Sequence, residues 1–313
     1  MHSFLSTAKR AHDCCARQQF TRRLSGGHPA TRGSAITPVI LHYDRLIPPD
    51  GNEKSHPLVI LHGLFGMKRN WLSLSKAFLR DLGRPIYTLV DLRNHGSSPH
   101  AEPMTYAAMA VDVLNFCRVH SLTKISLLGH SMGGKVAMTV ALNPELPQDL
   151  LSHLIVADIA PSRGELSPEF NKYVGALQEI ERRKITNRRE AQHILSETEQ
   201  DPTIRAFLLT NLKNTDIHHH GPLSFQIPLD IIGKSISELG SFPYEPGERV
   251  WNGPTLFVKG TKSKYINNHN IPIAKQFFPN MILERLEAGH WVNHICFRPN
   301  EFKQLVTNFI RTH

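Results

Sequence analysis

KISLLGHSMGGKVAM, Lys124 to Met138, is the stretch on which the fold turns. Ile125 to Leu128 are apolar apart from Ser126 and show no strict alternation, the pattern of a strand covered on both faces of a sheet. GHSMG, Gly129 to Gly133, stands between that strand and a helical pattern over Gly133 to Leu142. A G-x-S-x-G at a strand-to-helix turn sets its serine on a sharp, strained bend, with the hydroxyl exposed above the sheet edge. The N-terminus of the following helix favours negative charge developing beside it. Five residues alone carry little weight, because Gly and Ser are frequent in turns. The strand before and the helix after make Ser131 a candidate nucleophile.

Working outward, the same strand pattern recurs. PLVILHG (Pro57 to Gly63), PIYTLVDLR (Pro85 to Arg93), LSHLIVADIAP (Leu151 to Pro161), GPTLFVKG (Gly253 to Gly260) and MILERLEAGH (Met281 to His290) are apolar runs that end in turn residues. Between several of them lie helical patterns at Trp71 to Leu82, Thr105 to His120 and Pro272 to Phe278. Alternation of this kind predicts an α/β fold, a mostly parallel sheet with helices on both faces. Between Pro161 and Gly253 the sequence is instead charged and mostly helical, in SPEFNKYVGALQEIERRK, NRREAQHILSE and PTIRAFLLTNL. That interval is too long for a loop in a compact domain and predicts an inserted helical cap. The expected organisation is a tail over residues 1–33, a core over 34–161, a cap over 162–250 and the rest of the core over 251–313.

A chain of 313 residues with 40% hydrophobic and 20% charged residues has the size and composition of one such domain with an insertion. The net charge of +9 does not point to nucleic acid. Residues 1–33 hold six Lys and Arg against a single Asp, and the remaining excess is small and spread without a basic run. On a helical wheel Phe4, Ala8, Ala11 and Cys15 share one face, opposite Lys9, Arg10 and Arg17. An Arg-, Ser- and Thr-rich, acid-poor amphipathic segment has the composition of a mitochondrial targeting peptide, and RRLS (Arg22 to Ser25) resembles a matrix-processing site. The plainer alternative is a disordered tail. No apolar run approaches the roughly 20 residues needed to cross a bilayer. Outside the tail only Cys117 and Cys296 remain, which suggests reduced thiols in a reducing compartment.

The groups a serine nucleophile needs can be sought in the same way. HGLFG (His62 to Gly66) follows the first strand, and a backbone N–H there can point at an oxyanion. Leu64 is the expected donor, with Phe65 as its alternative, and Met132 N–H, directly after the serine, is the second donor. His62 itself fits a turn-stabilising role. Among nineteen histidines, His290 in AGHWVNH ends the last strand ahead of the final helix, and is the candidate base. His294 belongs to the next element, and His130 flanks the serine too closely to reach its oxygen in line. The tract His218-His219-His220 sits in the insertion with no nearby Cys, and no metal site is expected there.

The acid is the harder assignment. LFVKGTKSKYI, Leu256 to Ile266, is the loop where a carboxylate would be sought, yet from Arg249 to Leu283 the chain has no Asp or Glu. Around such an elbow the triad runs Ser, acid, His along the chain. Asp158, in LIVADIAP, closes an apolar strand at the sheet edge shared with Ser131 and His290, where an unpartnered carboxylate would be costly. Its alternative there is a helix-capping or turn-forming Asp. Arg93, Asn94 and His95 in DLRNHGSSP (Asp91 to Pro99) read as braces for the surrounding loops.

HGLFG, DLRNHGSSP, GHSMGGK, VADIAP, KGTKSKYI and AGHWVNH in this order resemble one branch of the α/β-hydrolase superfamily over about residues 38–313. That branch includes mitochondrial abhydrolase domain-containing protein eleven, small bacterial esterases and yeast ethanol acetyltransferases. The resemblance implies that Ser occupies the penultimate-strand loop, here Ser263, and that the acid comes from the DIAP-type segment, here Asp158. It implies a serine hydrolase of a small acyl ester or thioester with no cofactor, or an alcohol acyltransferase built on the same triad. A non-catalytic, partner-binding version of the fold is the remaining expectation.

Overall fold

The computed structural model describes residues 36–53, 56–214, 221–290 and 298–313. The expected targeting segment, the His218-His219-His220 tract, His294 and Cys296 lie outside these residues. Six strands form the central sheet: β1 (Leu58–Leu61), β2 (Ile86–Val90), β3 (Ile125–His130), β4 (Leu151–Ala157), β7 (Thr255–Gly260) and β8 (Met281–Leu286). Their order is β2-β1-β3-β4-β7-β8 and every neighbouring pair is parallel. The chain winds from β1 to one edge, crosses back to β3 and continues to the other edge. The switch point between β1 and β3 opens a crevice at the carboxyl ends of the strands, the usual site of chemistry in such sheets.

Why these runs are strands is visible in which residues face each layer. Val59, Leu61, Ile125, Leu127, Leu154, Val156 and Phe257 feed one apolar cluster. Leu58, Ile60, Leu128, Ile155, Ala157, Leu256 and Val258 feed the other. Period-2 alternation with both faces apolar is what a doubly covered sheet requires. On the first face lie α2 (Tyr106–Val119), α3 (Met132–Ala141) and α8 (Ile271–Phe277), through Met109, Val113, Val136, Val140 and Phe277. On the second lie α1 (Leu72–Leu82) and α9 (Pro299–Thr312), through Leu74, Phe78, Phe302, Val306 and Phe309. Each fully buried side chain of this size contributes roughly 1.5–3 kcal/mol relative to exposure.

Between β4 and β7 the chain builds α4 (Glu169–Arg182), α5 (Arg188–Ser196), α6 (Pro202–Leu208), the antiparallel pair β5 (Leu212–Asn214) and β6 (Leu223–Phe225), and α7 (Leu229–Gly240). Side-chain caps set two of these starts. Asn187 accepts from Glu190 N–H, and Asp201 accepts from Thr203 N–H ahead of Pro202. Neither the small hairpin nor α7 is assigned from the sequence. In α7 the buried stripe Leu229, Ile232, Ile236 and Leu239 is interrupted by Gly233, which weakens the helical signal. Lys135 on α3 holds both ends of this interval. Its buried Nζ donates to Ser162 O (3.0 Å), Gly240 O (3.0 Å) and Ser241 O (2.7 Å). Burial lowers its pKa to about 8.

Candidate active site

The elbow at Ser131 is strained in the way its position demands. Ser131 adopts φ 52, ψ −120, a conformation that costs on the order of 1–3 kcal/mol for a residue with a Cβ. The strain sits on the serine; the glycines beside it serve close approach. A Cβ on Gly129 would stand 2.1 Å from Gly133 O, and one on Gly133 would stand 2.5 Å from His62 O. Strand, elbow and the end of β1 therefore meet backbone to backbone, and only hydrogen fits between them.

Register brings the polar groups to one edge. His130 of β3 lies beside Ala157 of β4, which lies beside Val258 of β7. Ser131 and Asp158 are each one residue past those pairs, held by Ser131 N–H to Ala157 O (3.0 Å) and Asp158 N–H to Val258 O (2.9 Å). Asp158 turns away with φ 54, a left-handed conformation that Asp tolerates better than most residues. Its Oδ1 accepts from Gly260 N–H at 2.9 Å and its Oδ2 from His290 Nδ1–H at 2.9 Å. A carboxylate only accepts, so the His290 proton sits on Nδ1, and Nε2 is left to accept from the Ser131 hydroxyl at 2.9 Å. Asp158 is 1% exposed and His290 9%, so both polar groups rely on these partners.

His290 is not on a strand. The last strand stops at Leu286, four residues earlier than the sequence reading placed it, and His290 rides on the loop that follows. Three contacts compensate. Lys262 N–H donates to Ala288 O (3.0 Å), His130 Nε2–H donates to His290 O (2.8 Å), and the Tyr265 ring lies over the imidazole with centroids 3.8 Å apart. Thus His130, too close to serve the serine, holds the backbone of the residue that does contact it. Its Nδ1 is buried without a partner among the described residues, and burial drops its pKa to about 3, so it stays neutral. Tyr265, His130 and the Gly260 N–H were not singled out for these contacts in the sequence. A single chain shows no signal for a ring contact or a backbone donor made across the sheet.

The loop after β1 is fixed by two more neutral histidines. His62 donates from Nδ1 to Gly63 O (2.8 Å) and accepts Leu92 N–H on Nε2 (3.0 Å). His95 donates from Nδ1 to Arg93 O (3.0 Å) and accepts Phe65 N–H on Nε2 (3.2 Å). Burial lowers their pKa values to about 4 and about 3. Phe65 N–H is therefore occupied, whereas Leu64 N–H has no acceptor among the described residues. Met132 N–H opens α3, where the first N–H groups have no intrahelical partner. In DLRNHGSSP, Asp91 accepts from Lys68 N–H and Ser97 N–H, Arg93 pairs with the buried Asp112 (2.5 Å), and Asn94 ties to Ala101. The segment braces the loops around the serine, as read from the sequence.

Two small cavities adjoin Ser131. One, of about 10 Å³, lies between Leu64, Phe170, Phe207 and His290. The other, of about 20 Å³, lies between Met132, Ile159, Leu166, Phe170, Leu239 and Tyr265. Wider clefts of about 630 and 620 Å³ touch none of Ser131, Asp158 and His290, although the second shares Leu166 with the cavity of about 20 Å³. The small cavities are the relevant ones, because they are lined by Ser131 itself. Among the described residues no cluster of three or more metal-ligating side chains is present, and no helix is long and apolar enough to cross a membrane. A hydroxyl, an imidazole and a carboxylate in hydrogen-bonded series allow the hydroxyl proton to move to the ring as the oxygen attacks an electrophile.

Known proteins share this plan. The sequence profile of the alpha/beta hydrolase fold matches residues 56–295. The sn-1-specific diacylglycerol lipase ABHD11 of Xenopus tropicalis is 38% identical, over 84% of this chain and 80% of its own. The probable alcohol acetyltransferase of Saccharomyces cerevisiae is 35% identical, over 88% of this chain and 82% of its own. A solved marine microorganism esterase superposes with a TM-score of 0.75 at 35% identity, over 87% of this chain and 99% of its own. With the parallel sheet, the serine elbow and these relatives in agreement, the chain belongs to the alpha/beta hydrolase fold family.

Proposed function

We propose that the chain is a serine hydrolase that cleaves carboxylic esters or thioesters through an acyl-enzyme. The observation that carries this reading is the unbroken series Ser131 Oγ, His290 Nε2, His290 Nδ1, Asp158 Oδ2, whose two hydrogen bonds are both 2.9 Å. Ser131 Oγ attacks the acyl carbon and its proton passes to His290 Nε2. Asp158 holds the ring in the required tautomer and stabilises the imidazolium. Leu64 and Met132 N–H groups receive the oxyanion, Leu64 being the free choice because Phe65 is occupied by His95. His290 returns the proton to the departing alkoxide or thiolate. Water then repeats the sequence, giving its proton to His290 and its oxygen to the acyl group, and the acid leaves as Ser131 regains its proton. These steps use only groups of this chain. Residues 162–250 act as a cap that shields the acyl-enzyme from bulk water.

Steady-state hydrolysis of 4-nitrophenyl acetate and of a simple acyl thioester tests the reading. Wild-type turnover, with an acyl adduct on Ser131 by intact mass and peptide mapping, supports it. Turnover that survives in Ser131→Ala at the wild-type rate contradicts it.

A second reading is favoured by the relatives whose names describe alcohol acetyltransferases. An alcohol would replace water at the acyl-enzyme, since the triad activates either. Incubation with acetyl-CoA and ethanol distinguishes them: ester forming faster than free acetate establishes transfer, and acetate alone establishes hydrolysis. We also propose that residues 1–33 direct the chain to the mitochondrial matrix, on their basic, amphipathic composition. A matrix fraction that retains Met1 would contradict cleavage of that segment.

A further inference from the structure

The space around Ser131 is far smaller than the clefts elsewhere on the molecule, and its division is informative. Leu64 and Phe170 line both of the cavities that adjoin the serine, so together they form the wall between them. The cavity of about 10 Å³ touches His290. Because the base must meet both the leaving oxygen and the incoming water, the departing and entering groups belong on that side. The cavity of about 20 Å³ runs past Met132, whose N–H faces the oxyanion, into an apolar lining of Ile159, Leu166 and Leu239. That is the side for the acyl chain. Since roughly 10–15 Å³ already holds one water, this room takes only a very short chain.

The boundary is firm. Phe170, on α4, is 3% exposed. Its ring stacks at 22° and 6.3 Å on Phe65 and meets Tyr173 edge-on at 6.3 Å. Phe65 is itself fixed, by its N–H to His95 and by Asn211 Nδ2 donating to its carbonyl (2.7 Å). In the wall of the same cavity, Lys135 is pinned by its three carbonyl partners and cannot swing aside without leaving them unpaired. Close packing of this kind resists the entry of extra methylenes.

We propose, on the reading that Ser131 is the nucleophile, that the substrates are short-chain acyl esters or thioesters of about two to four acyl carbons, with Phe170 between the two cavities and Leu166 at the outer wall of the acyl side setting the limit. It follows that each methylene beyond the limit costs about tenfold or more in kcat/KM. The test uses the full chain and 4-nitrophenyl acetate, butyrate, octanoate and dodecanoate, after titration of active sites with a fluorophosphonate. The expected result is a wild-type maximum at acetate to butyrate, with octanoate lower by at least about a hundredfold. In Phe170→Ala the octanoate-to-butyrate ratio should rise by at least about tenfold. Should Phe170→Ala fail to fold, Leu166→Ala, at the partly exposed far side of the same cavity, is expected to raise that ratio in the same direction. A wild-type enzyme that titrates fully yet prefers octanoate or dodecanoate overturns the chain-length proposal alone, and so does a ratio unchanged in the variant that folds. Absence of any titration overturns the serine-hydrolase reading beneath it.

Discussion

Two loops at the same sheet edge divide a task that one loop could have carried. The loop after β4 supplies a carboxylate: Asp158, one residue past the strand, bent to φ 54 and fully buried. The loop after β7, LFVKGTKSKYI, supplies no carboxylate, yet it touches the same two residues. Gly260 N–H donates to Asp158, Lys262 N–H holds the carbonyl of Ala288, and Tyr265 covers the His290 ring. Ser263 Oγ is turned to its own loop and accepts from Tyr265 N–H at 3.3 Å. The contrast shows that the ends of β4 and β7 lie within one hydrogen bond of each other, so a carboxylate on either could reach the His290 imidazole, and here it is Asp158 that does. The loop after β7 then serves as support.

Four measurements test this division of roles. The largest effect is expected for Asp158→Asn, which keeps the shape and tolerates positive φ but presents the wrong partner to His290; kcat should fall about 10⁴-fold. A fall below tenfold would return the acid role to some other group. Next comes acid stability, because the loop after β1 rests on the buried neutral His62 and His95, and the His290 loop on the buried neutral His130. His62, His95 and His130 have folded pKa values of about 4, about 3 and about 3, against about 6.5 in the unfolded chain. Between about pH 6.5 and 4 the unfolded state binds more protons than the native state, so stability is full above 6.5 and is lost as pH falls. With three such sites the unfolding constant should rise up to about a thousandfold per pH unit in that window. A urea midpoint that stays flat from pH 7 to 4.5 would contradict it. Third, Gly260→Ala would set a Cβ 2.6 Å from Ala288 O and push on the His290 loop. A kcat loss of about 10- to 100-fold with KM nearly unchanged is expected, and no loss would deny the β7 loop its supporting role. The smallest effect is for Ser263→Ala, whose kcat should stay within about twofold, since its hydroxyl serves only its own loop. A loss comparable to that of Asp158→Asn would reverse the comparison.

Much of this was legible in the sequence, for identifiable reasons. A strand buried on both faces must be largely apolar, so the inner strands declare themselves in runs such as Leu58–Leu61 and Leu154 to Ala157, whereas the edge strand β8 carries Glu284 and Arg285 and shows through Met281 to Leu283 and its place in the alternation. A serine forced to positive φ between a strand and a helix needs small neighbours, so GHSMG is conspicuous. The empty β7 loop pointed to Asp158 by exclusion. What stayed hidden depends on contacts distant along the chain. His130 reaches His290 across 160 residues, and Lys135 reaches Gly240 across 105. Nothing local distinguishes these side chains from ordinary buried polar groups. The end of β8 was misread because MILERLEAGH continues its apolar spacing past Leu286, where pairing with Gly260 stops and the chain turns. The choice between Leu64 and Phe65 awaited knowledge of where His95 points.

On the proposed reading Asp158, through His290, makes Ser131 nucleophilic, while the β7 loop only supports them. The second-order rate of fluorophosphonate labelling at Ser131 reads that nucleophilicity without depending on any substrate. A rate lowered by orders of magnitude in Asp158→Asn and close to wild type in Ser263→Ala is the predicted result. Labelling at the wild-type rate in Asp158→Asn would contradict the claim.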